Sequence, residues 1–303
     1  MANATNITPG PPVADYHHPM YAVLIATYTI VFIGGVSGAI SMSFLLVKMN
    51  ARSMTTAAII NLVVIHSLFL VTVPFRLYFY ITGQWIFDLP FCKIVSLMAH
   101  FHMYLTLLFY VIALVIRWLI FFQWKEKVEF YRNLHAVATS AAVWILALLL
   151  VLPLMFIWYG NNEPYERTKC FTFQKELKQM PWKAVNYIAI IVVIAITCTL
   201  LGLQVFIIRK VVKKLSGSVW SHQEFWAQLK SLIFICFIIF CFLPHHFFRI
   251  YYIQCINQVQ SPELEKYNEI CLSITAISCL DLFLFAISGS KILRQKITGL
   301  SCC

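Results

Sequence analysis

The sequence predicts an all-α fold: a seven-transmembrane helical bundle with a short amphipathic eighth helix on the cytosolic face. Three observations carry this. Hydrophobic residues make up 61% of the 303-residue chain and charged residues 12%, whereas an average soluble domain is about half apolar and a quarter charged. Apolar runs of about 20 residues, the length that crosses a bilayer core, recur seven times along the chain. The basic excess behind the net charge of +11 sits in one alternate set of loops, as the positive-inside bias requires.

The predicted spans run from Tyr21 to Val47, Thr56 to Tyr80, Phe91 to Phe122, Leu134 to Trp158, Ala184 to Val212, Phe225 to Ile253 and Tyr267 to Ser288. An odd number puts the two ends on opposite sides. With the N-terminus outside, thirteen bases fall at the cytosolic face: Lys48, Arg52, Lys125, Lys127, Arg132, Arg209, Lys210, Lys213, Lys214, Lys230, Lys291, Arg294 and Lys296. Only Glu126, Glu129 and Glu224 oppose them there. The placement fits a multi-pass plasma-membrane protein that meets anionic lipid, and it argues against nucleic acid as a partner.

Three regions follow. Residues 1–20 form an extracellular tail with Pro9, Pro11, Pro12 and Pro19 and no basic n-region, so the first helix reads as an uncleaved signal anchor. Asn3-Ala4-Thr5 and Asn6-Ile7-Thr8 match the N-glycosylation pattern, which predicts sugar on Asn3 and Asn6. Residues 21–288 form the membrane domain. Residues 289–303 place Ile292, Leu293, Ile297 and Leu300 on one helical face and Lys291 and Arg294 on another, with Lys296 nearby, the signature of a helix lying on the inner membrane surface. Cys302 and Cys303 close the chain at a depth suited to palmitoylation.

Motifs sort the seven-helix classes. Cys92 follows Trp85-Ile86-Phe87 at the head of the third span, and Cys170 precedes the fifth. Arg117, in Ile116-Arg117-Trp118, comes 25 residues after Cys92. Trp144 and Pro153 mark the fourth span, Thr72-Val73-Pro74-Phe75 the second, and the sixth carries Cys241-Phe242-Leu243-Pro244-His245-His246-Phe247-Phe248-Arg249. Together these resemble the rhodopsin-like (class A) G-protein-coupled receptors along the whole chain. The resemblance implies a Cys92–Cys170 disulfide. It implies that Arg117 meets a heterotrimeric G protein, and arrestin as well, with Glu224 as its resting partner across the bundle. It also makes Phe242 and Pro244 the switch that couples an extracellular ligand to movement of the sixth helix.

Departures from the family pattern matter as much. Ile116 replaces the acid beside the arginine, Ala39 an asparagine, His66 an aspartate and Ile196 a proline. In Asp281-Leu282-Phe283-Leu284-Phe285 the family's proline and tyrosine are gone. The family's sodium pocket is therefore not implied.

Ionisable groups inside a membrane are expensive and default to function. One set, His66, His102, Thr106 and Asp281, shares the mid-membrane level, and its depth predicts contact between His66 and Asp281. Two histidines and an aspartate also suit zinc, but a third histidine is lacking at that depth and no HExxH spacing occurs, so no metal and no cofactor is expected. The other set, Arg76, His100, Tyr104, His246 and Arg249, with Tyr78 and Tyr252 nearby, lies toward the outside. His246 and Arg249 share a helix face. This spacing resembles receptors for nucleotides and anionic lipids and implies a ligand of negative charge. No Asp or Glu lies between Cys92 and Arg117, which disfavours amines. The bland alternative is that Arg76 and Arg249 snorkel to headgroups.

Other classes fare worse. A retinal protein needs a lysine in the seventh span, and none lies between Tyr267 and Ser290. An intramembrane hydrolase of the paired-aspartate kind needs two aspartates, and Asp281 is the only one inside the spans. A transporter would show an inverted repeat. The nearest rival is a receptor-like protein with weak or no G-protein signalling. Cys255 and Cys271 sit at mismatched depths for a bridge.

Overall fold

The computed structural model describes residues 19–49, 54–121, 129–151, 153, 170–171, 177–214, 222–256 and 262–287. The helices are α1 (Pro19–Met49), α2 (Met54–Thr82), α3 (Leu89–Phe121), α4 (Glu129–Leu146, passing into a π-helical stretch at Ala147–Val151) and α5 (Met180–Lys214). Then α6 runs as Gln223–Phe237, a π-helical stretch at Ile238–Phe242, and Leu243–Cys255. Finally, α7 runs as Pro262–Ala276, tightens to a 3-10 turn at Ile277–Leu280 and stays helical to Ile287. Six of these helices are long and apolar enough to cross a membrane, and the apolar part of α4, Ala138–Leu149, is shorter. The predicted eighth helix, Asn3, Asn6, Cys302, Cys303, the loop at 124–128 and the side chain of Glu224 lie outside the described residues.

Most helices overrun their apolar stretches by a few residues, because their ends are polar. The last turn of α5 carries Lys213 and Lys214, cations placed where the helix dipole is negative. The seventh helix starts at Pro262, not Tyr267, with Glu263 and Glu265 in its first turn, the complementary arrangement.

In a bilayer the buried face of a helix is the one that meets other helices. On α1 that face is Leu24, Tyr28, Val31, Ala39 and Met42, at helical spacing, while Ile30, Ile33, Ile40 and Phe44 face outward. Small residues let α1 sit close. A methyl on Gly38 would lie 2.7 Å from the backbone nitrogen of Phe283, one on Gly35 2.9 Å from Leu70, and one on Gly34 would strike Leu280. Gly34 and Gly38 thus form a small-xxx-small seat for α7.

Polar bolts join the other helices. Asn61 of α2 donates to Ser140 Oγ at 2.7 Å and accepts from Trp144 Nε1 at 2.9 Å, both on α4. Gln204 of α5 accepts from Trp118 Nε1 at 2.9 Å and donates to the Gln228 carbonyl of α6 at 2.9 Å. Trp144, which marks the fourth span in the sequence, thus donates a hydrogen bond to the second.

Pro244 shapes α6. A proline has no N–H to give and its ring crowds the carbonyl four residues back. The helix answers by widening just before it, where the Leu243 N–H reaches the Ile238 carbonyl.

Candidate functional site

At one end of the bundle Cys92 and Cys170 form a disulfide, with Cα atoms 5.8 Å apart. Among the described residues Cys255 and Cys271 are free thiols. The bridge holds Phe171, which adopts φ 65°, a left-handed conformation uncommon for a residue with a side chain. Its ring lies 4.4 Å from the Arg76 guanidinium and packs on Phe79, Tyr80 and Trp85.

Arg76 is fully buried. Its Nη2 donates to the carbonyls of Val95 at 2.9 Å and Ser96 at 3.4 Å, its Nη1 to Tyr28 Oη at 3.4 Å, and Nη1 lies 3.7 Å from Glu269 Oε2. Tyr80 donates to the same carboxylate at 3.2 Å. Snorkelling is thereby ruled out for Arg76. Glu269, near the start of the seventh apolar run, is not among the residues singled out from the sequence, and only the fold sets it beside α2.

A second cluster fills the space between α3, α5, α6 and α7. Arg249 Nη1 donates to Asn268 Oδ1 at 2.9 Å and its Nε to Asn186 Oδ1 at 3.3 Å, with the Tyr252 ring 5.6 Å away. One turn earlier, His246 Nδ1 donates to the Phe242 carbonyl at 2.8 Å. Its Nε2 is buried with no hydrogen-bond partner. Tyr104 lies 6.0 Å from the His246 ring, and His100 lies 6.5 Å from His245. The structure therefore assembles His100, Tyr104, His246 and Arg249 in one place and adds His245, Asn186 and Asn268. Arg76 is held instead by Tyr28, Glu269 and Phe171. Tyr78 packs on Phe87. His245 neighbours two residues that the sequence reading named, and the widened turn at Ile238–Phe242 hid its inward aim.

The mid-membrane set closes up as well. His66 Nδ1 and His102 Nε2 are 2.7 Å apart, and His66 Nε2 lies 3.3 Å from Asp281 Oδ1. Tyr110 donates to Asp281 Oδ2 at 2.6 Å. Cys279 Sγ lies 3.6 Å from His66 Nδ1 and 3.4 Å from His102 Nε2. Thr106 is buried with its hydroxyl unpartnered. Neither Cys279 nor Tyr110 was legible as a member.

Near the opposite end, Arg117 Nη1 donates to Ser231 Oγ of α6 at 3.1 Å and the guanidinium lies 5.2 Å from the Phe234 ring. Phe242 is fully buried, with the Tyr110 ring 6.2 Å away.

Residues 39–281 match the family model described as 7 transmembrane receptor (rhodopsin family). The chain is 57% identical over 282 residues to "Probable G-protein coupled receptor 141" of Homo sapiens, an alignment covering 92% of each chain. It is 27% identical over 277 residues to cysteinyl leukotriene receptor 2 of Homo sapiens, covering 87% of this chain and 77% of that one. To 2-oxoglutarate receptor 1 of Rattus norvegicus it is 24% identical over 229 residues, covering 74% of this chain and 66% of that one.

Proposed function

Because the chain belongs to the rhodopsin family of seven-transmembrane receptors, and is a receptor rather than an enzyme, we propose that it carries the signal of an extracellular anionic ligand to a heterotrimeric G protein. In this reading the N-terminus and the disulfide end face outward, and the ligand sits on His246 and Arg249. The carrying observation is that pair. They are one turn apart and both are buried; Arg249 is oriented by two neutral amides and His246 Nε2 has no hydrogen-bond partner. A buried polar atom without a partner calls for an explanation, and a polar ligand supplies one. Two relatives are named for 2-oxoglutarate and for cysteinyl leukotrienes, both anions, which supports the same ligand class.

Signal transfer follows from differential binding. A ligand that contacts α3, α5, α6 and α7 more tightly in one arrangement shifts the population toward it. The widened turn before Pro244 is the pivot, and breaking Arg117–Ser231 opens the opposite end to the G protein, with arrestin using the same cleft. Anionic lipid meets the basic loops there.

The test is G-protein dissociation in cells challenged with dicarboxylates, nucleotides and anionic lipids, with amines as contrast. An anion is expected to activate. Its half-maximal concentration should rise about 10- to 100-fold in Arg249→Ala, the worth of a hydrogen bond to charge. An anionic agonist indifferent to Arg249→Glu overturns the ligand assignment. Equal basal and stimulated output from the chain and from Arg117→Ala favours the rival, a receptor-like protein with weak or no G-protein signalling, for which the missing acid at Ile116 speaks.

A further inference from the structure

We propose that His66, His102 and Cys279 form a binding site for Zn2+ at the centre of the bundle, clamping α2, α3 and α7. The three donor atoms are His66 Nδ1, His102 Nε2 and Cys279 Sγ, all buried and all within 4.8 Å of one another. Tetrahedral zinc, with Zn–N of about 2.0–2.1 Å and Zn–S of about 2.3 Å, sets nitrogen and sulfur about 3.5 Å apart and two nitrogens about 3.3 Å apart. Here the two N···S distances are 3.6 and 3.4 Å, and the N···N distance is 2.7 Å. Only the two imidazoles must part, by about half an ångström, to admit the ion. Water takes the fourth position.

The surroundings suit a metal in two further ways. A zinc-bound histidine typically gives its other N–H to a carboxylate, which fixes the tautomer and strengthens the ligand. His66 is placed for that pattern: with Nδ1 on the metal, Nε2 lies 3.3 Å from Asp281 Oδ1, and Asp281 is itself steadied by Tyr110. Charge also balances. Zinc brings +2, and the Cys279 thiolate, whose proton leaves to water, and the Asp281 carboxylate bring −1 each. A neutral cluster is what the membrane interior tolerates.

The donor set argues the identity. Two imidazoles and a thiolate favour a borderline or soft metal, whereas sodium, calcium and magnesium want oxygen. The site thus differs in kind from an all-oxygen sodium pocket. By joining three helices at one point, the ion would weight whichever arrangement of the bundle keeps its ligands together.

The experiment uses the purified full chain in lipid nanodiscs, stripped of metal by a chelator and titrated with Co2+ and then Zn2+. Expected is one Co2+ per chain, a near-ultraviolet thiolate-to-cobalt band with strong visible bands, loss of both on adding Zn2+, and a higher melting temperature with Zn2+ but not with Na+. Cys279→Ala should abolish the thiolate band, and Cys279→Ser does the same if the alanine chain elutes as aggregate. Asp281→Asn should keep the band and weaken Zn2+ about 10- to 100-fold. Cys198→Ala, exposed on α5, should change nothing. The proposal is overturned if the unmodified chain binds no Co2+, or if its thiolate band survives in Cys279→Ser.

Discussion

Glu269 of α7 lies 3.7 Å from Arg76 of α2, and the pair ties the two helices together near the disulfide, well along both helices from the His66–Asp281 contact that joins them at mid-membrane. Removing one member of a buried pair strands the other charge, at about 3–5 kcal/mol. Arg76→Ala should therefore lower the melting temperature steeply and cut surface delivery. Arg76→Lys should rescue little, because a single ammonium cannot serve the Val95 carbonyl and Glu269 together. Glu269→Gln should cost less than Arg76→Ala, since an amide oxygen still accepts from Arg76 and Tyr80 and the Val95 carbonyl still holds the guanidinium. Thermal melts of the three purified variants check the order.

Two glycines should respond in opposite directions to one methyl group. Gly38→Ala pushes against the backbone of Phe283, which cannot rotate away, so destabilisation of about 1–3 kcal/mol is expected. Gly202 meets nothing within 4 Å. Gly202→Ala should be neutral or stabilise by up to about 1 kcal/mol, the helix propensity difference. Equal melting shifts for both would contradict the close seat of α1 on α7.

The Asn61 bolt is open to a double-mutant cycle. Asn61→Ala and Trp144→Phe should be non-additive, with coupling of about 0.6–1.7 kcal/mol, the range for hydrogen bonds between membrane helices. Urea or thermal unfolding in detergent measures it, and zero coupling would mean that the bond is not made.

Opening the Cys92–Cys170 bridge should act twice. Reduction, or Cys92→Ala, frees the 78-residue separation it spans, at a typical cost of about 2–4 kcal/mol, and releases Phe171 from above Arg76. Phe171→Ala with the bridge intact isolates the second effect. That variant should lose part of the stability that reduction removes, and combining it with reduction should cost less than the sum.

What was legible in the sequence follows from what is one-dimensional. A bilayer demands apolar runs of fixed length and charges on one side, so the spans and the family resemblance could be read from order alone, and with them the disulfide. Membership of a buried cluster is different, because it depends on helical phase. Cys279 sits inside the 3-10 turn Ile277–Leu280, where tighter winding shifts its direction, and nothing in Ser278-Cys279-Leu280 announces a neighbour on α2. Glu269 stands near the start of the seventh apolar run, and only the packing of α7 on α2 sets it beside Arg76. Tyr110, an unremarkable aromatic in an apolar stretch, acquires meaning only through Asp281.

The wide turn at Ile238–Phe242 has a consequence for comparing this chain with others. A π-helical turn holds one residue more than an α-helical turn, and one residue on an α-helix is about 100° of rotation. Alignments that count straight through α6 from Ser231 will set His245, His246 and Arg249 one place away from the residues that occupy the same points in an unwidened helix. A single-residue gap between 238 and 242 restores the correspondence, and ligand-site equivalences drawn between relatives should be taken after that gap is placed.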